Sequence, residues 1–163
     1  MLLSEKLNFN MKQYLIVLTI LVFSCNDKAD LESEEKAIRN LLKQERKAHF
    51  EKNVDLFVSE FADSMVSVNK GKVTKLSVDQ NKKRIEPYFS SVEFIKWDDV
   101  AEPVIEFSND GTLAYAIIQK QVILSYPDSS GKKFIDTTNY AWASIYRKQK
   151  GEWKVECNIS TNK

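Results

Sequence analysis

"KAHFEKNVDLFVSEFADSMV", residues 47–66, contains the change of rhythm on which the fold turns. Asn53 is a side chain suited to capping a helix, and after it Val54, Phe57, Val58 and Phe61 recur at helical spacing. Past Phe61-Ala62-Asp63 the apolar residues alternate around Met65, Val66 and Val68, and Gly71 closes the run. A short second helix stepping directly into a strand is the expected structure. Asp55 is expected to brace the corner between the helices.

Upstream, Ser33 is expected to cap a longer helix, with Glu34 and Glu35 at the positive end of its dipole. Ile38, Leu41 and Leu42 begin a stripe that continues through Glu45, Ala48 and His49. The stripe therefore turns polar in its last two turns. Downstream, "TKLSVDQNKKRIEPYF" (74–89) reads as a charged third helix with Leu76, Ile85 and Phe89 on one side, ended or kinked by Pro87.

After that the period becomes two. Residues 92–107 read as a strand pair or one bent strand, broken near 98–103. "NDG" at 109–111 is a hairpin turn, and strands follow at 112–126, 134–148 and 152–159. The fold class is α+β, with helices gathered on one face of a curved, mostly antiparallel sheet. A two-residue turn at Gln149-Lys150 sets Tyr146 against Trp153, Ser144 against Val155, Trp142 against Cys157 and Tyr140 against Ile159. These eight residues would share the face turned to the helices.

This arrangement, with residues 47–66 and "GEWKVECNIS" (151–160), resembles the nuclear transport factor 2-like (NTF2-like) superfamily, nearest its SnoaL-like and DUF4440-type bacterial domains. The resemblance spans roughly residues 34–160 and rests on Asp55, the Phe61-Ala62-Asp63 step and Gly-x-Trp-Lys-Val at 151–155. It implies three helices packed into the mouth of a cone-shaped sheet that holds a cavity. It also implies a choice of roles, since the fold hosts isomerases, dehydratases, cyclases, ligand binders and dimerisation modules.

Two sets of residues are candidates for the chemistry. Glu45 and His49 lie four apart on one helix face, where a carboxylate beside an imidazole makes an acid–base pair. In the resembled domains these positions are commonly aromatic or apolar and line the cavity. Tyr140, Trp142, Tyr146 and Trp153 form an aromatic surface suited to an apolar or aromatic ligand. Asp136 is the acid that would complete a catalytic pair opposite His49. The leading expectation is a ligand binder, the alternative a proton-transfer enzyme using Glu45 and His49, and a third reading a module that dimerises through the outer sheet face.

Other chemistries find no support in the residues. One His and two Cys do not assemble an ordinary zinc site, and Asp98, Asp99 and Glu102 lack the spacing of a cation-binding loop. Phosphate-loop and Gly-x-Ser-x-Gly patterns are absent. No metal and no cofactor is expected. With a formal net charge of +1 and interspersed signs, the chain offers no basic face for nucleic acid.

The address comes from residues 14–23, "YLIVLTILVF", an uncharged run about half as long as the ~20 residues that span a bilayer. With Lys12 before it, the run reads as a signal-peptide core. Val22-Phe23-Ser24-Cys25 resembles a bacterial lipobox, which implies cleavage after residue 24 and acylation of Cys25. Residues 25–33 would then tether a domain over 34–163, lipid-anchored in the cell envelope and facing the periplasm or the surface. Membrane attachment through acyl chains is the expected partner interaction.

Overall fold

The computed structural model describes residues 30–162; the apolar run, the lipobox-like residues and Cys25 lie outside the described residues. Helix α1 (Leu31–Phe50) starts before the expected cap, because Asp30 accepts a hydrogen bond from Ser33 N (3.4 Å) and so takes that role. Its stripe is as expected: Ile38, Leu42, Ala48 and His49 are buried, with Glu45 partly buried in the same row. In α2 (Val54–Val58) the Asn53 side chain accepts from Leu56 N (2.9 Å), a textual signal that the structure uses directly. Asp55 pairs with Lys82 at 2.5 Å, joining α2 to the third helix.

Strands β1 (Phe61–Asn69) and β2 (Lys72–Ser77) form an antiparallel hairpin turned at Lys70 and Gly71, both with positive φ (49° and 73°). Residues 74–77 are thus strand, not the start of a helix. Ser77 Oγ accepts from Gln80 N while Gln80 Oε1 accepts from Ser77 N, and this reciprocal cap starts α3 (Val78–Ser91) one residue later. The exposed, lysine-bearing β2 is a sheet edge, where charge discourages pairing with other chains. Helix α3 also runs through Pro87 to Ser91, forgoing the bond that a Pro87 N–H would have made to the Lys83 carbonyl.

Strands β3 (Glu93–Asp99) and β4 (Val104–Phe107) lie end to end along β5 (Leu113–Pro127), so the interrupted run is two strands on one partner. β6 (Lys133–Gln149) and β7 (Glu152–Asn162) complete a seven-stranded sheet of order β2-β1-β7-β6-β5-β3, with β4 beside β5. Among the described strands only β1 and β7 run parallel.

The last hairpin departs from its expected register twice. Its turn is Lys150-Gly151 (φ 53° and 87°), so Gln149 faces Glu152, Lys148 faces Trp153 and Tyr146 faces Val155. The pairing then jumps from Tyr146–Val155 to Ile145–Cys157, leaving Glu156 as an extra residue in β7. A bulge of one residue exchanges the two faces beyond it. Cys157 and Ile159, expected inside, lie on the outer face, and Asn158 turns inward.

The core fills the concave side between helices and sheet, where Ile38, Leu42, Phe89, Phe94, Trp97, Ile118, Val122 and Tyr146 are buried together. Each such side chain contributes about 1.5–3 kcal/mol through burial. The convex side exposes an apolar strip, with Val104, Tyr115, Ile117 and Ile159 each 42–53% accessible. Among the described residues no helix is long and apolar enough to cross a membrane.

Candidate acid-base site

The polar end of the α1 stripe meets the inward face of β6 and β7 at a cavity of about 110 Å³. Glu45 reaches it from α1, Glu60 from the step between α2 and β1, Ser144 and Tyr146 from β6, and Asn158 from β7. The Glu60 backbone holds its side chain there: its carbonyl accepts from Val155 N (2.8 Å), tying the end of α2 to β7. Glu60 is 4% accessible, and its Oε1 has no hydrogen-bond partner. An unmatched buried polar atom is costly, so its persistence at a cavity wall points to a group that completes it.

The electrostatics follow from burial. Removal from water raises the Glu45 carboxyl to about 7, opposed by nearby Lys120 and reinforced by Asp99. Burial, with Glu45 as a neighbouring negative charge, pushes Glu60 up to about 9. Tyr146 is held above its ordinary value first by burial and then by Glu45, so its phenol stays protonated. Two acids and a phenol therefore face one space with different proton affinities.

His49 is placed elsewhere. It is 3% accessible, stacks on Trp97 at 3.7 Å and meets the rings of Phe57, Phe89 and Phe94, each at 5.1 Å. Its Nδ1 lies 2.7 Å from the backbone carbonyl of Glu45, which can only accept, so the proton sits on Nδ1. Burial lowers its pKa to about 4, against the upward pull of that hydrogen bond. The ring donates to the backbone of Glu45 rather than to its carboxylate, and it does not line the cavity. The expected imidazole–carboxylate pair gives way to a neutral histidine packed among aromatic rings.

Solved structures share this architecture at low identity. A ketosteroid isomerase-like protein from Erwinia carotovora atroseptica superposes with a TM-score of 0.62 at 13% identity, over 78% of this chain and 94% of that one. A proposed dehydratase of the NTF2-like family from Streptomyces avermitilis gives 0.65 at 10%, over 79% and 96%. An NTF2-like protein of unknown function from Pseudomonas putida gives 0.58 at 17%, over 81% and 87%. The fold is the NTF2-like cone. No protein-family model and no curated protein sequence matches the chain.

Within the NTF2-like cone the four aromatic candidates part company. Tyr146 alone lines the acid cavity. Trp142 is buried against Trp97, with ring centroids 6.3 Å apart. Trp153 borders a separate groove between α1 and the β6–β7 hairpin, donating from Nε1 to Glu34 Oε2 (2.6 Å). Tyr140 is half-buried toward the other end of β6, and Asp136 lies beyond it on the same strand face. Neither lines the acid cavity. Asp98, Asp99 and Glu102 pair with Arg46, Lys120 and Arg39 respectively, so each acid already has a cation beside it.

Glu60 and Asn158 had escaped sequence reasoning, and for different reasons. The signal for Glu60 was an acid wedged between the apolar pairs Phe57-Val58 and Phe61-Ala62, where the chain changes element. Asn158 carried no such signal, because only the bulge at Glu156 turns it inward.

Proposed function

We propose that the cone binds a small carbonyl compound and transfers a proton on it, with Glu45 as the base and protonated Glu60 as a hydrogen-bond donor to the carbonyl oxygen. The observation that carries this reading is the convergence of two carboxyl groups on one cavity, one of them with an unpartnered oxygen. A base works best when its pKa lies near the operating pH, and about 7 suits Glu45. A carboxyl group that remains protonated can donate to an oxygen that gains negative charge. In the step, the C–H bond beside the carbonyl breaks and its proton passes to the Glu45 carboxylate. The electron pair forms C=C, and the carbonyl π electrons move to oxygen, where Glu60 donates a hydrogen bond. Return of the proton to the same or another carbon gives exchange or isomerisation.

The expected role of His49 changes in this reading. Its hydrogen bond to the Glu45 backbone steadies the turn of α1 that presents the carboxylate. The direct test is hydrogen–deuterium exchange beside the carbonyl of small ketones and oxo acids, followed by NMR. Acceleration by the wild-type protein supports proton transfer, and no acceleration across such a panel removes it.

We also propose that acyl chains on Cys25 anchor the domain in the cell envelope, since several chains on one residue supply stable attachment at about 0.8 kcal/mol per buried CH₂. Cys25→Ala should move the protein from the membrane to the soluble fraction; a variant that stays with membranes would defeat the anchor. For the convex strip of Val104, Tyr115, Ile117 and Ile159 the proposed occupant is a second copy of the chain. The soluble Cys25→Ala chain should sediment as a dimer at micromolar concentration, and adding Ile117→Lys should yield monomer. A monomeric Cys25→Ala chain would exclude this interface.

A further inference from the structure

The mouth of the acid cavity carries a cation. Arg84, exposed on α3, is the one basic side chain among the described residues that line it. The other arginines among the described residues are all paired: Arg39 with Glu35 and Glu102, Arg46 with Asp98, and Arg147 with Glu156. Arg84 has no such carboxylate partner. Its Nη2 donates to Asn81 Oδ1 at 3.1 Å. Asn81 is 1% accessible, and its amide nitrogen donates to the carbonyls of Leu76 and Ser77 at 3.2 and 3.1 Å. With both donors committed to the β2–α3 corner, Asn81 presents its oxygen to Arg84 from a fixed point. The rest of the guanidinium fork stays open, in the geometry that grips a carboxylate through two bonds.

Two further observations narrow what sits behind that fork. Glu60 Oε1 is the unpartnered atom within, and Ser144 Oγ with Asn158 Nδ2 (3.4 Å apart) adds a polar wall. The space of about 110 Å³ is smaller than the ~150 Å³ cavity that accommodates benzene. A molecule of a few carbons fits it, with an acceptor oxygen at the inner end and a negative charge at the outer one.

We propose that the substrate is a small oxo acid whose carboxylate is held at the mouth by Arg84 and whose carbonyl oxygen lies against Glu60. This assignment rests on the proton-transfer reading of the same cavity, and it adds the charge and size of the molecule that reacts. Uncharged ketones of equal size would reach the acids but lose the anchoring pair.

The test compares 2-oxobutyrate with its uncharged methyl ester, following exchange at the carbon beside the carbonyl. Wild-type protein should favour the acid by at least tenfold in kcat/KM. Arg84→Gln should erase that preference, mainly through KM, and Arg84→Lys should restore part of it. Because Arg84 is exposed, the variants should keep the wild-type near-ultraviolet circular dichroism. Equal exchange of acid and ester, or a preference that survives Arg84→Gln, overturns the carboxylate anchor while leaving proton transfer standing. If neither compound exchanges, proton transfer falls, and an NMR shift titration with 2-oxobutyrate decides the anchor alone. Shifts at the cavity that vanish in Arg84→Gln keep it; their absence in wild type overturns it.

Discussion

Glu45→Gln should lower the rate of carbonyl-linked proton exchange by about 10²–10⁴, the usual worth of a positioned general base. Glutamine fills nearly the same volume and keeps an acceptor oxygen, but it takes up no proton near neutral pH. The cavity should therefore persist and ligand affinity change little, so the loss belongs in kcat. The wild-type pH profile gives an independent check. Activity should rise as Glu45 ionises near pH 7 and fall as Glu60 loses its proton near 9. A Glu45→Gln protein with wild-type turnover, or a rate flat between pH 5 and 10, would show that the base lies elsewhere.

Glu60→Gln should make the protein more stable in mild alkali, by about 2–4 kcal/mol at pH 8. In the unfolded chain Glu60 ionises near 4.5, whereas in the fold it stays protonated until about 9. Between those values unfolding releases a proton, so the stability that Glu60 leaves to the fold declines as pH rises. Each pH unit in that window costs about 1.4 kcal/mol, discounted here for solvent reaching the cavity. Glu45 acts in the same direction from about 4.5 to 7. His49 acts oppositely: neutral in the fold down to about 4 but charged below 6.5 when unfolded, it withdraws stability as pH falls. Urea melts of wild type and variant at pH 5 and pH 8 measure the effect. The gap between them should widen with pH, and a constant gap would mean that Glu60 is not a buried acid.

The parts of the fold whose physics is local were legible in the residues. Helical spacing from Ile38 to His49 placed Glu45 and His49 on the buried stripe of α1. Asn53 marked the start of α2 because its side chain can reach Leu56 N without help from any distant element. Alternation and turn residues marked the long strands, and with them the α+β class and the curved sheet; the cone was implied by the resemblance. The element was misread where local cues are shared: residues 74–77 (Thr-Lys-Leu-Ser) suit an exposed helix face as well as an edge strand, and pairing with β1 decides between them.

The candidate site arises from packing between elements. Whether Glu45 meets His49 through its carboxylate or its backbone depends on the box of Phe57, Phe89, Phe94 and Trp97, which comes from three other elements and holds the ring away from the cavity. Glu60 becomes an acid–base candidate only because β7 binds its carbonyl and turns it inward. One extra residue at Glu156 moves Asn158 into the cavity and Cys157 out. Periodicity reports which face a residue takes within its own element; a bulge or a packed neighbour acts across elements, and its energy is set by contacts that no single stretch of chain contains.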